Sequence, residues 1–351
     1  MRRVVVLLLL AVAGATGAFA EVTSTLRVEL AGSPSSLFVV ENLAGVMRVT
    51  AGDGAAVVAV ATVHAENEAL AGEVRFEQVT GKEGEPVLRV RYPESHSTFR
   101  YPQAGNSTLK YDGRMVRVSS SRGVELWADV EVTVPRTAVH GAFRNHVGKL
   151  SGSGLKGRVA FDSGSGDIEL RTLDGEVSAD TGSGDILASE IRGAFSGDTG
   201  SGDIGLKGFS GESVTCDTGS GDVHVEAVTA RTVKADTGSG SVRVVGADIE
   251  SLAADTGSGS VVLEATGGRL RRVKADTGSG DVRLRLPADA GFEVRADQGS
   301  GDLVCRFDDA RAIVSGRTVV GYTRGDGRIR IAADTGSGDV IVEPPAAAEK
   351  R

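Results

Sequence analysis

The sequence predicts an all-β fold: a single right-handed parallel β-solenoid of about 18–21 residues per coil, with a less regular β-rich N-terminal part. Three observations predict it. First, a ten-residue pattern, apolar-x-small-Asp-Thr-Gly-Ser-Gly-Asp-apolar, recurs around Asp180, Asp198, Asp217, Asp236, Asp255, Asp276 and Asp334, with looser copies at Asp162 and Asp297. The steps from Asp162 to Asp297 are 18, 18, 19, 19, 19, 21 and 21 residues, and Asp297 to Asp334 is 37, close to two steps. Second, apolar and polar residues alternate on both sides of the pattern, the period of a strand with one face inward. Third, aromatic residues make up only 4% of the chain. A globular core of this size uses more; a thin solenoid core fills with Val, Ile, Leu and Ala. The right hand follows the general crossover preference.

In chain order, residues 1–20 read as a secretory signal peptide. Arg2 and Arg3 precede an apolar run over residues 4–13, and Ala18-Phe19-Ala20 forms a cleavage site before Glu21. Residues 21–144 read as a β-rich capping region. Alternation is clear at residues 26–30, 46–49, 87–91 and 130–134, and Asn42-Leu43-Ala44-Gly45 looks like a degenerate coil turn. A cap is expected because an open coil end is an unpaired strand edge. Residues 93–122 break the alternation as a loop or hairpin excursion. Residues 145–343 form the repeat solenoid, with a second excursion at 308–328 where a turn copy is missing. Residues 344–351 read as a disordered tail.

Within the repeat, three positions before the first Asp stand Val177, Val214, Val233, Leu252 and Ile331. One position after the second Asp stand Ile186, Ile204, Val223, Val242 and Val340. Each coil is therefore strand, turn, strand and a variable link back. Both turn glycines occur in all nine copies, which requires either backbone angles closed to side chains or close backbone packing between coils. Stacked in chain order, coils lie about 4.8 Å apart. Cys216 and Cys305 then sit four coils apart, too far for a disulfide, and both occupy inward positions.

These residues carry a resemblance. The signal peptide, the start near Asn42, the Val-Glu-Val-Thr-Val-Pro strand at residues 130–135, the Gly327-Arg328-Ile329-Arg330-Ile331 run and the tandem turns resemble the bacterial "putative adhesin" domain family. The resemblance covers most of residues 21–343. It implies an exported β-solenoid and no catalytic residues.

Charge narrows the partners. The chain has 39 Lys and Arg against 47 Asp and Glu. Without Arg2 and Arg3 the balance is 37 against 47, a net charge of −10, which disfavours nucleic acid and anionic membrane surfaces. Beyond the signal, no apolar run is long enough for a membrane span. Two Cys are too few for a disulfide scaffold.

Two acidic rows are the sharpest candidate site. The first is Asp162, Asp180, Asp198, Asp217, Asp236, Asp255, Asp276, Asp297 and Asp334. The second is Asp167, Asp185, Asp203, Asp222, Ser241, Ser260, Asp281, Asp302 and Asp339. In register, like charges about 4.8 Å apart repel by roughly 1 kcal/mol even in water. Either calcium offsets this or each Asp accepts hydrogen bonds from its own turn. Ser241 and Ser260 favour the turn reading, since Ser is a poor calcium ligand. A second candidate is the aromatic cluster Tyr92, Phe99, Tyr101 and Tyr111, which would stack on sugar rings if exposed or form a satellite core if covered. The five His show no metal-ligand spacing. A G-x-G-x-x-G match at residues 200–205 lacks the helix that would hold a phosphate.

No cofactor and no catalytic constellation is expected. The sequence reads as a non-enzymatic, exported cell-envelope or surface protein, an adhesin-like scaffold whose partner is an envelope protein or a glycan. A calcium-stabilised repeat module and a β-helix enzyme acting on polysaccharide are the alternatives.

Overall fold

The computed structural model describes residues 7–10, 22–30, 35–82 and 84–345. Among them the fold is all-β with mostly parallel pairing, and the one α-helix is the six-residue Glu68–Glu73, capped by the Asn67 side chain. No helix among the described residues is long and apolar enough to cross a membrane. Contacts divide the chain into two compact units, Met1–Gly184 and Asp185–Arg351.

In the first unit, Phe38–Ala44 runs parallel between Pro86–Arg91 and Val139–Val147. Val139–Val147 leads on, again in parallel, to Lys156–Ser165 and Ile168–Thr181. Val124–Pro135 joins a parallel partner, Met47–Gly52, to an antiparallel one, Val57–Ala65, which also pairs with Val22–Leu30. Of the signal segment only Leu7–Leu10 is described, as a strand antiparallel to residues 24–27; the rest lies outside the described residues. The excursion at 93–122 contains Thr98–Arg100 and a hairpin of Ser107–Tyr111 with Arg114–Ser119.

Asn42-x-x-Gly45 is a turn, as its sequence suggested, and Asn145-x-x-Gly148 is a second copy that was not anticipated. Both glycines have positive φ, +126° and +107°, and a Cβ on either would collide with a neighbouring carbonyl oxygen. Asn42 and Asn145 pair in register and are buried. Asn42 Nδ2 donates to Asn145 Oδ1 at 3.0 Å and to the Ala128 carbonyl at 2.8 Å. Asn145 Nδ2 in turn donates to the Gly45 carbonyl at 2.8 Å. Backbone carbonyls freed by the turns are satisfied in this way, which buried groups require.

In the second unit, Ile186–Thr199, Ile204–Thr218, Val223–Thr237 and Val242–Thr256 pair in parallel, with equivalent repeat positions side by side. Val233 and Ala235 are buried while Lys234 between them is exposed, as alternation demands. Burying each such Val contributes about 1.5–3 kcal/mol. The link between repeats is less of a loop than expected. Strands of 14–15 residues run through it, each bent at a left-handed residue: Glu190, Gly208, Ala227 and Gly246 have φ between +54° and +72°, and Gly193 adds a second positive φ, +111°, in the first of them. After Asp255 the step lengthens to 21 residues, and the strand divides into Val261–Ala265 and Arg272–Thr277.

The stacking order departs from chain order. Arg272–Thr277 pairs with Ile329–Thr335, and Ile329–Thr335 pairs on its other side with Phe292–Gln298. The Asp334 repeat is therefore threaded between those of Asp276 and Asp297. The Asp297 repeat carries Gln298 where intact copies carry Thr, and it takes the outer place. Its far edge is covered by Thr318–Arg324, the inner strand of a hairpin with Arg311–Ser315 in the second excursion. Asp217 and Asp297 are thus five strand steps apart, where chain order gave four. Both cysteines are free; Cys216 is buried, but Cys305 is half-buried because it belongs to this outer repeat. Pro344 and Pro345 have no regular structure, and the remainder of the expected tail lies outside the described residues.

Candidate functional site

Three rows of side chains run across the paired turns, and each solves a different problem. The buried row is threonine: Thr199, Thr218, Thr237, Thr256, Thr277 and Thr335 in the second unit are each 1–2% exposed. Thr237 Oγ1 donates to the Gly221 carbonyl of the preceding repeat at 2.8 Å and accepts from its own Gly240 N–H at 3.1 Å. The same pair of bonds forms at Thr218, Thr256, Thr277 and Thr335. One hydroxyl thus closes its own turn and ties it to the preceding one. Sequence reading assigned this row no role. In the first unit the equivalent position is held by Thr181, Ser163, Asn145 and Asn42, paired in register.

The turn glycines explain themselves beside this row. Gly238 and Gly240 have no positive φ, but a Cβ on either would collide with the carbonyl oxygens of Gly219 and Gly221. Close packing between repeats, and not a special backbone angle, excludes side chains here.

The second acidic row is a ladder. The N–H of Asp203 donates to Asp185 Oδ1 at 2.9 Å, that of Asp222 to Asp203 Oδ1 at 2.8 Å, and that of Ser241 to Asp222 Oδ1 at 2.7 Å. Ser241 and Ser260 continue it with their hydroxyls, each accepting at 3.2 Å. Asp281 then accepts from Asp339, and Asp339 from Asp302, in the threaded order. The expectation of a bond within each turn is corrected: these side chains accept from the neighbouring repeat. Asp or Ser serves because only an acceptor is needed. Asp129 does the same for the Val46 N–H in the first unit, at 2.8 Å.

The first acidic row faces outward. Asp198, Asp217, Asp236, Asp255, Asp276, Asp334 and Asp297 pair in register in that order, all exposed or half-exposed. Burial, and then the charges of Asp276 and Asp236, hold the Asp255 carboxyl above its usual range. Asp162 and Asp180 pair in the first unit, where the row continues with mixed charge through Arg144, Glu41 and Arg89. Burial alone would raise Glu41; hydrogen bonds from His146 at 3.0 Å and Arg89 at 2.7 Å outweigh it and hold the carboxyl below its ordinary value. Among the described residues no three His, Cys, Asp or Glu side chains gather as a metal site.

The four aromatics are covered. Tyr92, Phe99, Tyr101 and Tyr111 are each at most 3% exposed. Tyr92 meets Phe99 and Tyr111 edge-on at 5.3 and 6.1 Å, and Tyr101 packs on Trp127. The Tyr92 hydroxyl donates into the asparagine turn, to the Ala44 carbonyl at 3.1 Å. These rings form a satellite core and present no stacking surface to a ligand. Hydrophobic rings interleaved with polar residues read alike in both cases, so sequence alone left the choice open.

A groove breaks the outward face of the second unit. Lys274, Ala332 and Arg295 share one register position on three successive strands. With Asp276, Asp334, Asp297 and Val320 they line a hollow of about 360 Å³. Sequence reading missed it, because Lys274 and Arg295 become neighbours of Ala332 only through the threaded order.

Residues 193–343 match the Toastrack DUF4097 family model. The matched segment holds every repeat from Asp198 to Asp334, the covering hairpin and the groove. No curated protein matches the chain. Two solved structures are similar. One is described as a "putative cell adhesion protein" from Clostridium sporogenes ATCC 15579, 11% identical, covering 93% of this chain and 100% of that one at a TM-score of 0.22. The other is described as a "putative lipid binding protein" from Parabacteroides distasonis ATCC 8503, 12% identical, covering 91% and 97% at a TM-score of 0.39. At these scores neither likeness carries an argument, and the Toastrack match names a domain without a role.

Proposed function

We propose that the chain is a non-enzymatic, exported envelope or surface protein, an adhesin-like right-handed solenoid that binds an envelope protein or glycan through its regular outward faces. The observation that carries this reading is the register. Thr215, Lys234, Ala253, Lys274, Ala332 and Arg295 lie side by side on successive strands, and all are exposed or half-exposed. Such a row presents side chains at about 4.8 Å intervals on a rigid support, which suits a polymeric or extended partner. The buried hydroxyls and the Asp–Ser ladder are spent on the fold, and the Ser–His contact of Ser95 Oγ with His96 Nδ1, at 2.9 Å, is exposed and lies away from these rows. Export rests on the signal segment.

Localisation of tagged full-length chain, followed by adherence of purified chain to isolated envelope polymers, tests the proposal. Binding without release of new chain ends from the polymer is expected, and Lys234→Glu with Lys274→Glu should alter it at unchanged melting temperature. A cytoplasmic location, or turnover of the polymer, would overturn the reading.

A further inference from the structure

We propose that the groove over Ala332 binds a short peptide by its two free ends, the ammonium against Asp297 and Asp334 and the carboxylate against Lys274 and Arg295. This deepens the reading of the chain as a binding scaffold and rests on it. A regular stack of repeats offers rows but no hollow. The second unit breaks its own regularity by threading the Asp334 repeat out of order and by the covering hairpin. Both breaks meet at this groove. Ala332 is short between the long side chains of Lys274 and Arg295 and forms the floor, while Val320 of the hairpin contributes an apolar wall. The volume, about 360 Å³, lies in the range of small-ligand clefts.

The charges are arranged in two lines. Lys274 and Arg295 stand two positions before Asp276 and Asp297 on their strands, about 6.8 Å between Cα atoms. An extended tripeptide spans at most about 10 Å between its ends, enough for one molecule to reach across both lines. Asp297 and Asp334 accept no hydrogen bond and pair with no cation among the described residues. Arg295 uses only Nε, toward Glu293 at 3.1 Å, which leaves its other donors for a carboxylate. Lys274 stands 3.9 Å from Asp276, too far for a hydrogen bond. A polyanion would meet three carboxylates here, and a bare cation would meet two basic side chains; a ligand with both charges satisfies each line.

Calorimetric titration of the full chain with trialanine tests this. Trialanine with free ends should bind with a Kd below about 1 mM, and N-acetyl-trialanine and trialanine amide should each bind at least about tenfold more weakly. Ala332→Leu, which fills the floor, should abolish binding at unchanged melting temperature. Arg295→Gln, at an exposed position, should weaken the free peptide while leaving the amide unaffected, and it serves if Ala332→Leu perturbs folding. Equal binding of the three peptides, or none by trialanine while the chain still adheres to envelope polymers, would overturn the inference and leave the proposed function standing. Recovery of cleaved trialanine would instead overturn the non-enzymatic reading.

Discussion

The Asp222 carboxylate accepts the backbone N–H of Ser241, one repeat further on, at 2.7 Å. The bond joins two repeats at the point where two like charges would otherwise face each other, and Ser241 replaces one of those charges. Asp222→Ala should therefore cost about 1 kcal/mol of stability, and Asp222→Ser distinctly less, because a hydroxyl already serves at Ser241 and Ser260. Urea unfolding of the two variants separates an acceptor role from a charge role. Equal losses would contradict the ladder.

Gly238 is predicted to tolerate no side chain. Gly238→Val should destabilise by at least about 3 kcal/mol, since the new Cβ would collide with the Gly219 carbonyl oxygen. Gly54→Ala is the control: nothing lies within contact of its Cβ, and it should change stability by less than about 0.5 kcal/mol. A wild-type melting temperature for Gly238→Val would show that the repeats are further apart than described.

Thr237 makes a third test. Thr237→Val keeps the shape and removes the hydroxyl, leaving the Gly221 carbonyl and the Gly240 N–H without their buried partner. A cost of about 1–3 kcal/mol is expected. Thr237→Ser should fall between wild type and Val. At the serine version of this position, Ser163, the buried Oγ has no hydrogen-bond partner, so the threonine methyl helps to fix the rotamer.

Val233 and Ala235 inside and Lys234 outside were legible because strand period is local and exact. The turn at Asn42-x-x-Gly45 was legible because its glycine needs a left-handed backbone. Its twin at Asn145, one 18-residue step before Ser163, was missed because Asn-x-x-Gly stands there in place of the Asp-Thr-Gly-Ser-Gly-Asp pattern. The bends at Glu190 and Ala227 were invisible, since neither residue type signals positive φ. Acceptor roles in the second row were half legible: Ser241 pointed away from metal ligation, but the donor proved to be the next repeat. The groove was beyond reach, because pairing partners are set by edges left open in space and not by chain order.

Asp255 gives a pH signature. Its native carboxyl is held above the ordinary value of 3.8 by burial and by the neighbouring charges of Asp276 and Asp236. The native state therefore holds the proton where the unfolded state has released it, and stability falls as pH rises from about 3.8 through the raised native value. Asp255→Asn should raise the melting temperature at neutral pH by at most a few degrees, the side chain being exposed. The gain should vanish in acid below that window. Calcium is expected to change the melting temperature little, since the second row already has its donors. A large rise reversed by chelator would restore the calcium reading.

Engineered cross-linking tests the stacking order most directly. In a Cys216→Ser, Cys305→Ser background, Lys274→Cys with Ala332→Cys places two thiols on directly paired strands, within disulfide reach. Lys274→Cys with Arg295→Cys places them two strands apart, about 9.6 Å, beyond that reach. A disulfide is expected in the first pair and free thiols in the second, under mild oxidation of the folded chain. A disulfide between residues 274 and 295, with none between 274 and 332, would show that the repeats stack in chain order and would contradict the threaded arrangement.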